Sequence, residues 1–213
     1  MTHIEKEETI ISTLLQASAN YHHQLCPRQV LGVRMGLYAG QLMGLSVPQK
    51  EKQLFTFIET DGCFLDGIAV STGCTVGART MRILDYGKIA ATFVNRETGN
   101  LLRIIPNPAA RLLCNKYASD ATDSWHTYLF GYQEMPEDEL FIVQPVKLTL
   151  SLAEIISRKT AKVICANCGE EIFNEREILK SGETLCKPCA GQRYYFLNDQ
   201  LPKAQINREK VHP

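Results

Sequence analysis

The sequence lacks net charge, a long apolar run and any repeated segment. Lys+Arg and Asp+Glu both total 23, so the formal charge is zero with histidine neutral. That balance gives no long-range attraction toward nucleic acid or an anionic membrane. A local basic patch is open only to scattered residues such as Arg28, Arg34, Arg79 and Arg82. No stretch approaches the roughly 18 apolar residues a membrane helix needs. The opening residues, with Glu5, Lys6, Glu7 and Glu8, do not follow the basic-then-apolar order of a secretory leader. The protein is therefore expected to be cytoplasmic, with no membrane partner. With 45% hydrophobic and 22% charged residues and no low-complexity tract, it reads as an ordinary globular chain.

What the chain has is cysteine. Eight cysteines in a reducing compartment point to metal or chemistry before disulfides. Four of them stand as Cys165-x₂-Cys168 and Cys186-x₂-Cys189, separated by seventeen residues. This is the spacing of a four-thiolate zinc site, in which each tight turn aims two sulfurs at one metal about 2.3 Å away. Gly169 directly follows the second cysteine and can take positive φ, turning backbone N–H groups toward the sulfurs. All four positions are filled, so the Zn²⁺ is structural. Ala190 to Phe196 is expected to open a helix on the second cysteine pair, giving a treble clef. Arg176, Lys180, Lys187 and Arg193 are matched by Glu170, Glu171, Glu175, Glu177 and Glu183. Without a basic excess the finger is not expected to bind nucleic acid.

The rest of the chain predicts an α+β fold, a mostly antiparallel sheet packed with helices. Residues 5 to 22 carry Ile10, Leu14, Leu15 and Ala19 at helical spacing. A second helix starts at Pro27, where the missing N–H costs nothing, carries a stripe of Val30, Leu31, Met35 and Leu42, and stops at Gly44. Leu54 to Glu59 reads as a strand, and Asp61 to Val70 as a short helix ending near Gly73. Ile89–Val94 and Leu101–Ile105 flank Glu97-Thr98-Gly99-Asn100, a hairpin with turn residues at its tip. A helix from Ala109 to Tyr117 and a strand from Leu140 to Thr149 complete the core. The expected division is a core domain over 1–160, a finger over 161–200 and a tail over 201–213. A helix with Leu152, Ile155 and Ile156 is expected between Ser151 and Lys162.

Tyr21 to Arg28 is the most chemically loaded stretch of the core. Pro27 disfavours helical geometry at Cys26 and leaves it at the N-cap of the second helix. Unpaired N–H groups and the macrodipole there favour a thiolate. His22, four residues earlier, can reach the same spot, so His22 and Cys26 are a metal-ligand pair or an activated nucleophile. Cys63 reads equally well as a small buried hydrophobe, and Cys114 reads better as one. Cys74, in Ser71-Thr-Gly-Cys-Thr-Val-Gly77, sits in a glycine-bracketed loop without the lysine of a phosphate loop, and a turn with a buried cysteine accounts for it as well. Lys88 is a point charge for an anion or a solvated turn residue.

These blocks resemble a known family, the FmdE family, named for formylmethanofuran dehydrogenase. The similarity runs through His22-x₃-Cys26-Pro27, Leu31-Gly32-Val-Arg34, Glu59-x-Asp61-Gly-Cys63-x₂-Asp66-Gly67, Thr72-Gly-Cys74-Thr-x-Gly77, Asp85-Tyr-Gly-Lys88, Arg96-x-Thr98-Gly99 and Arg103. The family's opening motif usually reads Phe-His-Gly-His-x-Cys-Pro-Gly. Tyr21, His23, Gln24 and Arg28 stand at its aromatic, first glycine, second histidine and last glycine. The resemblance implies a homodimeric α+β core with His22, Cys26, Cys63, Asp66, Cys74 and Lys88 around a shared cleft, open to a second metal. It also implies association with molybdenum or tungsten enzyme subunits of one-carbon metabolism and methanogenesis. The expected function is a zinc-binding accessory protein. The alternatives are an enzyme acting through Cys26 and His22, and a zinc-finger interaction or regulatory module.

Overall fold

The computed structural model describes residues 3–149, 151–152, 162–174 and 176–196, with the side chains of 3–8 and 22 outside that description. It divides into two compact units, Met1–Thr149 and Leu150–Pro213. The expected helix between Ser151 and Lys162, and the tail after 200, lie outside the described residues. No helix among the described residues is long and apolar enough to cross a membrane.

The first unit is built on a five-stranded sheet with order β2-β1-β3-β4-β5. Its strands are β1 (Leu54–Ile58), β2 (Met81–Ile83), β3 (Ala91–Asn95), β4 (Leu101–Pro106) and β5 (Phe141–Pro145). All neighbours are antiparallel except β1 and β2, which run parallel with Thr56 opposite Met81. A parallel pair needs a crossover, and helix α3 (Cys63–Thr72) supplies it. The hairpin of β3 and β4 forms as expected. Asn95 Oδ1 accepts from the N–H groups of Glu97 and Thr98, and Gly99 takes φ 73°. Within this sheet, the three-residue β2 has no counterpart among the strands read from the sequence.

Helix α1 (His3–His22) packs on α2 (Pro27–Met43), and α2 packs chiefly on α3. Pro27 and Gly44 bound α2 as expected, with Gly44 at φ 63° in the left-handed C-cap. The expected single apolar stripe is not what α2 presents. It buries Gln29, Val30, Leu31, Gly32, Val33, Arg34, Met35 and Gly36 in succession, whereas Leu42 is 43% exposed. A helix surrounded by neighbours has no solvent face to keep polar.

Glycines set how α2 and α3 meet. A Cβ on Gly32 would lie 2.3 Å from the Phe64 carbonyl oxygen, and one on Gly67 would lie 2.5 Å from that of Gln29. One turn further on, a Cβ on Gly36 would meet the Ser71 side chain. Residue 32 thus faces 67 and residue 36 faces 71. The two helices are parallel, and their N-termini lie at the same end.

Arg34 belongs to the core, not to a basic patch. It is 5% exposed, and its Nη1 donates to the carbonyls of Tyr132, Gln133 and Met135. Its Nη2 pairs with Glu137, in the short helix α6 (Glu137–Leu140). Tyr132 and Gln133 lie in the last turn of helix α5 (Ser124–Glu134) and Met135 follows it, where no intrahelical donor remains, so Arg34 supplies the C-terminal cap. Helix α4 (Ala110–Tyr117) packs against α5 through Cys114 and Gly131.

The second unit contains two small hairpins, β6 (Lys162–Ile164) with β7 (Glu171–Phe173) and β8 (Ile178–Lys180) with β9 (Glu183–Leu185). The helix expected from Ala190 to Phe196 does not form. Gly191 takes φ 105°, outside helical geometry, and Gly191 and Gln192 bond back to Pro188 and Lys187 as turns. No helix among the described residues therefore carries the last cysteine pair, as a treble clef would require.

Candidate functional site

The first turn of α2 is held from two directions. Cys26 is its N-cap in extended geometry, φ −124° and ψ 158°, as Pro27 demands. Gln29 Oε1 accepts from the Cys26 N–H at 2.8 Å, while its Nε2 donates to the Ser18 carbonyl at 2.7 Å. A fully buried amide thus ties the end of α1 to the position of Cys26. Between them His23 turns the chain at φ 61°. His22 ends α1, and its side chain lies outside the described residues.

Cys63 opens α3 after Gly62, whose φ of 79° makes the sharp entry from β1. Because α2 and α3 are parallel and closely packed, Cys63 meets Cys26. The two cysteines are neighbours, and both are half-buried. Burial raises the Cys63 pKa, and the neighbouring Cys26 and the charge of Asp66 add to the rise. Asp66 is on the first turn of α3. Two helix N-termini, each equivalent to roughly half a positive charge, therefore meet at a pair of thiols, with Asp66 one turn along α3; among the described residues only the finger cysteines bring three or more possible metal ligands within 4.8 Å of one another. A thiol pair suits a soft metal ion.

The other candidates separate from this pair. Cys74 is fully buried: Gln49 Nε2 donates to its sulfur at 3.2 Å, and its thiol donates to the Leu54 carbonyl at 3.2 Å. Burial pushes its pKa up. It braces β1 and does not line an open cleft, which corrects the expectation. Cys114 is buried against Gly131, and burial pushes its pKa to about 11. Lys88 is exposed on the turn after β2, where its N–H donates to the Glu59 carbonyl. Glu59 is itself clamped by Arg103, at 2.6 and 2.7 Å, with Gln144 on the same guanidinium. That ion pair fixes the strand end from which Cys63 departs.

Sequence reasoning missed the parts played by Gln29 and by the paired glycines. The glycine signal was present as Gly32-x₃-Gly36-x₃-Gly40, the spacing that lets another backbone approach one helix face.

In the second unit the sulfurs of Cys165, Cys168, Cys186 and Cys189 all lie within 4.8 Å of one another. Cys168 and Cys186 are 3.8 Å apart, the edge of a tetrahedron with metal–sulfur bonds of about 2.3 Å. Gly169 takes φ 75° as expected. Backbone N–H groups of Cys168 and Cys186 hold the Cys165 pKa down to about 6. At Cys168 the Glu170 N–H works the same way, but burial and the neighbouring sulfurs win and push it to about 12. Crowded thiols of this kind need a cation to ionise together, and the donor set fits Zn²⁺.

A family model described as "FmdE, Molybdenum formylmethanofuran dehydrogenase operon" matches residues 21–142. A second, "Prokaryotic dksA/traR C4-type zinc finger", matches residues 159–195. A protein of Archaeoglobus fulgidus described as a probable S-adenosyl-L-methionine-binding protein is 29% identical over 219 residues, covering 91% of this chain. The chain spans 57% of that relative's length. The crystal structure of a tungsten formylmethanofuran dehydrogenase FmdE-like protein from Syntrophus aciditrophicus matches with TM-score 0.57 and 17% identity. That match covers 87% of this chain and 95% of the other, and shows the shared fold.

Proposed function

The chain belongs to the FmdE family, and from that premise we propose a zinc-binding accessory protein whose core holds a ligand or second metal ion at Cys26 and Cys63. The observation that carries this reading is the meeting of the two thiols at the N-termini of two parallel helices. Parallel helices side by side bring like ends together, and an anionic ligand set offsets that cost. Two thiolates can supply it, and a divalent soft cation then balances the charge. His22 is the further donor expected, four residues before Cys26. Partnership with molybdenum or tungsten enzyme subunits is supported by the family's operon association. The finger's closed four-sulfur set serves shape or association and leaves no position for substrate.

The test is zinc content after equilibration with Zn²⁺ and gel filtration. Wild type should retain more than one zinc per chain. Cys26→Ser should lose only the excess over one, and Cys165→Ser should lose only the finger's ion. Equal zinc in wild type and Cys26→Ser, at one per chain, would remove the core metal from the account.

A second reading, binding of S-adenosyl-L-methionine, is supported by the similarity to the Archaeoglobus fulgidus protein along 91% of the chain. A cleft of about 560 Å³, lined by Ile11, Leu15, Ala19 and Leu25 among others, adjoins Cys26 in sequence and is large enough for a small molecule. Calorimetric titration with S-adenosyl-L-methionine should give saturable heat if this reading holds. A flat titration at high micromolar ligand would reject it.

A further inference from the structure

We infer that Cys26 and Cys63 form a reversible disulfide, so that the core site has an open dithiol state and a closed oxidised state. The inference rests on reading these two residues as one site, but not on a metal being held there.

The eight cysteines sort by position. Four converge on the finger's metal, and Cys74 and Cys114 are fully buried within separate parts of the core. Cys26 and Cys63 alone are both half-buried and paired outside the finger.

Backbone geometry brings them within reach. Facing positions on α2 and α3 differ by 35 in number, from residues 36 and 71 through 32 and 67. Continued back to the helix starts, this register sets Cys63 against the first turn of α2, beside its N-cap. Helices ordinarily pack about 8–10 Å apart, too far for the roughly 4.4–6.8 Å between the Cα atoms of a disulfide. The glycine contact draws the two backbones together. A Cβ on either Gly32 or Gly67 would stand 2.9 Å from the other's Cα. Neither cysteine is locked in a helix interior. Cys26 is extended and follows the His23 turn, and Cys63 follows Gly62 at φ 79°. Both flanks can absorb the rotation that a sulfur–sulfur dihedral near 90° requires.

The oxidant is a low-molecular-weight disulfide such as oxidised glutathione. One protein thiolate attacks a glutathione sulfur, forming a mixed disulfide and releasing one glutathione thiolate. The second protein thiolate then attacks the protein sulfur of that mixed disulfide and releases the other glutathione. The protein gives up two electrons and two protons, and two reduced glutathiones take them. The bond consumes both sulfur donors, so oxidation and occupancy of the site by a metal exclude each other.

The full chain, with its finger zinc in place, is incubated with oxidised glutathione, alkylated and digested without reduction. Mass spectrometry should find peptide Glu7–Arg28 joined to Gln53–Arg79, with fragmentation placing the bridge on Cys63 and not Cys74. Dithiothreitol should reverse it. In Cys63→Ser the resolving thiol is gone, so glutathione should remain attached at Cys26. Alkylatable Cys26 and Cys63 after oxidation would overturn the inference, as would glutathione on each without a cross-link. Pre-loading with zinc separates the two readings. Protection supports both. Cross-linking at an undiminished rate supports the disulfide and counts against the core metal.

Discussion

Gly67→Ala should destabilise the core by about 3 kcal/mol or more, at the upper end of what overpacking costs. Elsewhere in a helix the same change is favourable by roughly 1 kcal/mol, because alanine loses less backbone entropy than glycine. Here the added Cβ would sit 2.5 Å from the Gln29 carbonyl oxygen and 2.8 Å from the Val33 nitrogen. Both are backbone atoms of α2 and cannot rotate away, so the helices must separate. Separation opens space beneath the fully buried Phe64 and Ile68 and pulls Cys63 from Cys26. Urea unfolding should show the midpoint fall for Gly67→Ala and for Gly32→Ala. Gly77→Ala, with open space around the new methyl group, should stay near wild type. The two helix variants should also lose the glutathione-driven cross-link while still folded in the absence of denaturant. Equal stability of all three proteins would mean that the helices do not meet through their backbones.

The larger effect is expected in the finger. Its strands are three residues long, and its buried side chains are Cys165, Ile172 and Leu185, with Val163, Cys186, Cys189 and Ala190 packed around them. So small a cluster cannot offset the entropy of ordering the segment. A structural zinc contributes on the order of 10 kcal/mol to such units, so Cys165→Ser or a strong chelator should unfold it outright. Cys165 is the informative choice. It is the most buried of the four ligands, and its sulfur accepts the Cys186 N–H at 3.2 Å, joining the two knuckles. Limited proteolysis should cut within residues 162–196 of the variant and spare them in zinc-loaded wild type. The core, with its own hydrophobic cluster, should keep its urea midpoint. A finger that resists protease without metal would contradict the structural role of the zinc.

Much of this was legible in local sequence. Pro27 and Gly44 mark both ends of α2, Gly99 marks the hairpin, and the Cys-x₂-Cys pairs mark the zinc site, because each feature acts within a few residues. What escaped depends on contacts far apart in the chain. Helix α5 exposes Trp125 and Phe130 and buries Thr127, so its apolar pattern shows no clean stripe. Its start was nonetheless encoded, since Asp123 caps it by accepting the His126 N–H at 2.9 Å. Arg34 looked like surface charge because nothing near it in sequence reveals the α5 carbonyls about a hundred residues away. Cys74 was expected at the cleft only through the family resemblance, and the seal by Gln49 and Leu54 that buries it is non-local. The pairing of Cys26 with Cys63 came into view only once the parallel register of α2 and α3 was known.

The central claim is that Cys26 and Cys63 are one site, separate from the finger. Cobalt(II) titration of the Cys165→Ser protein tests it most directly, because thiolate-to-cobalt charge-transfer absorption reports sulfur ligands as they bind. The core pair should give such a band, and adding either Cys26→Ser or Cys63→Ser to that background should weaken it to a similar extent. A band unchanged by both substitutions, or no band at all, would contradict the shared site.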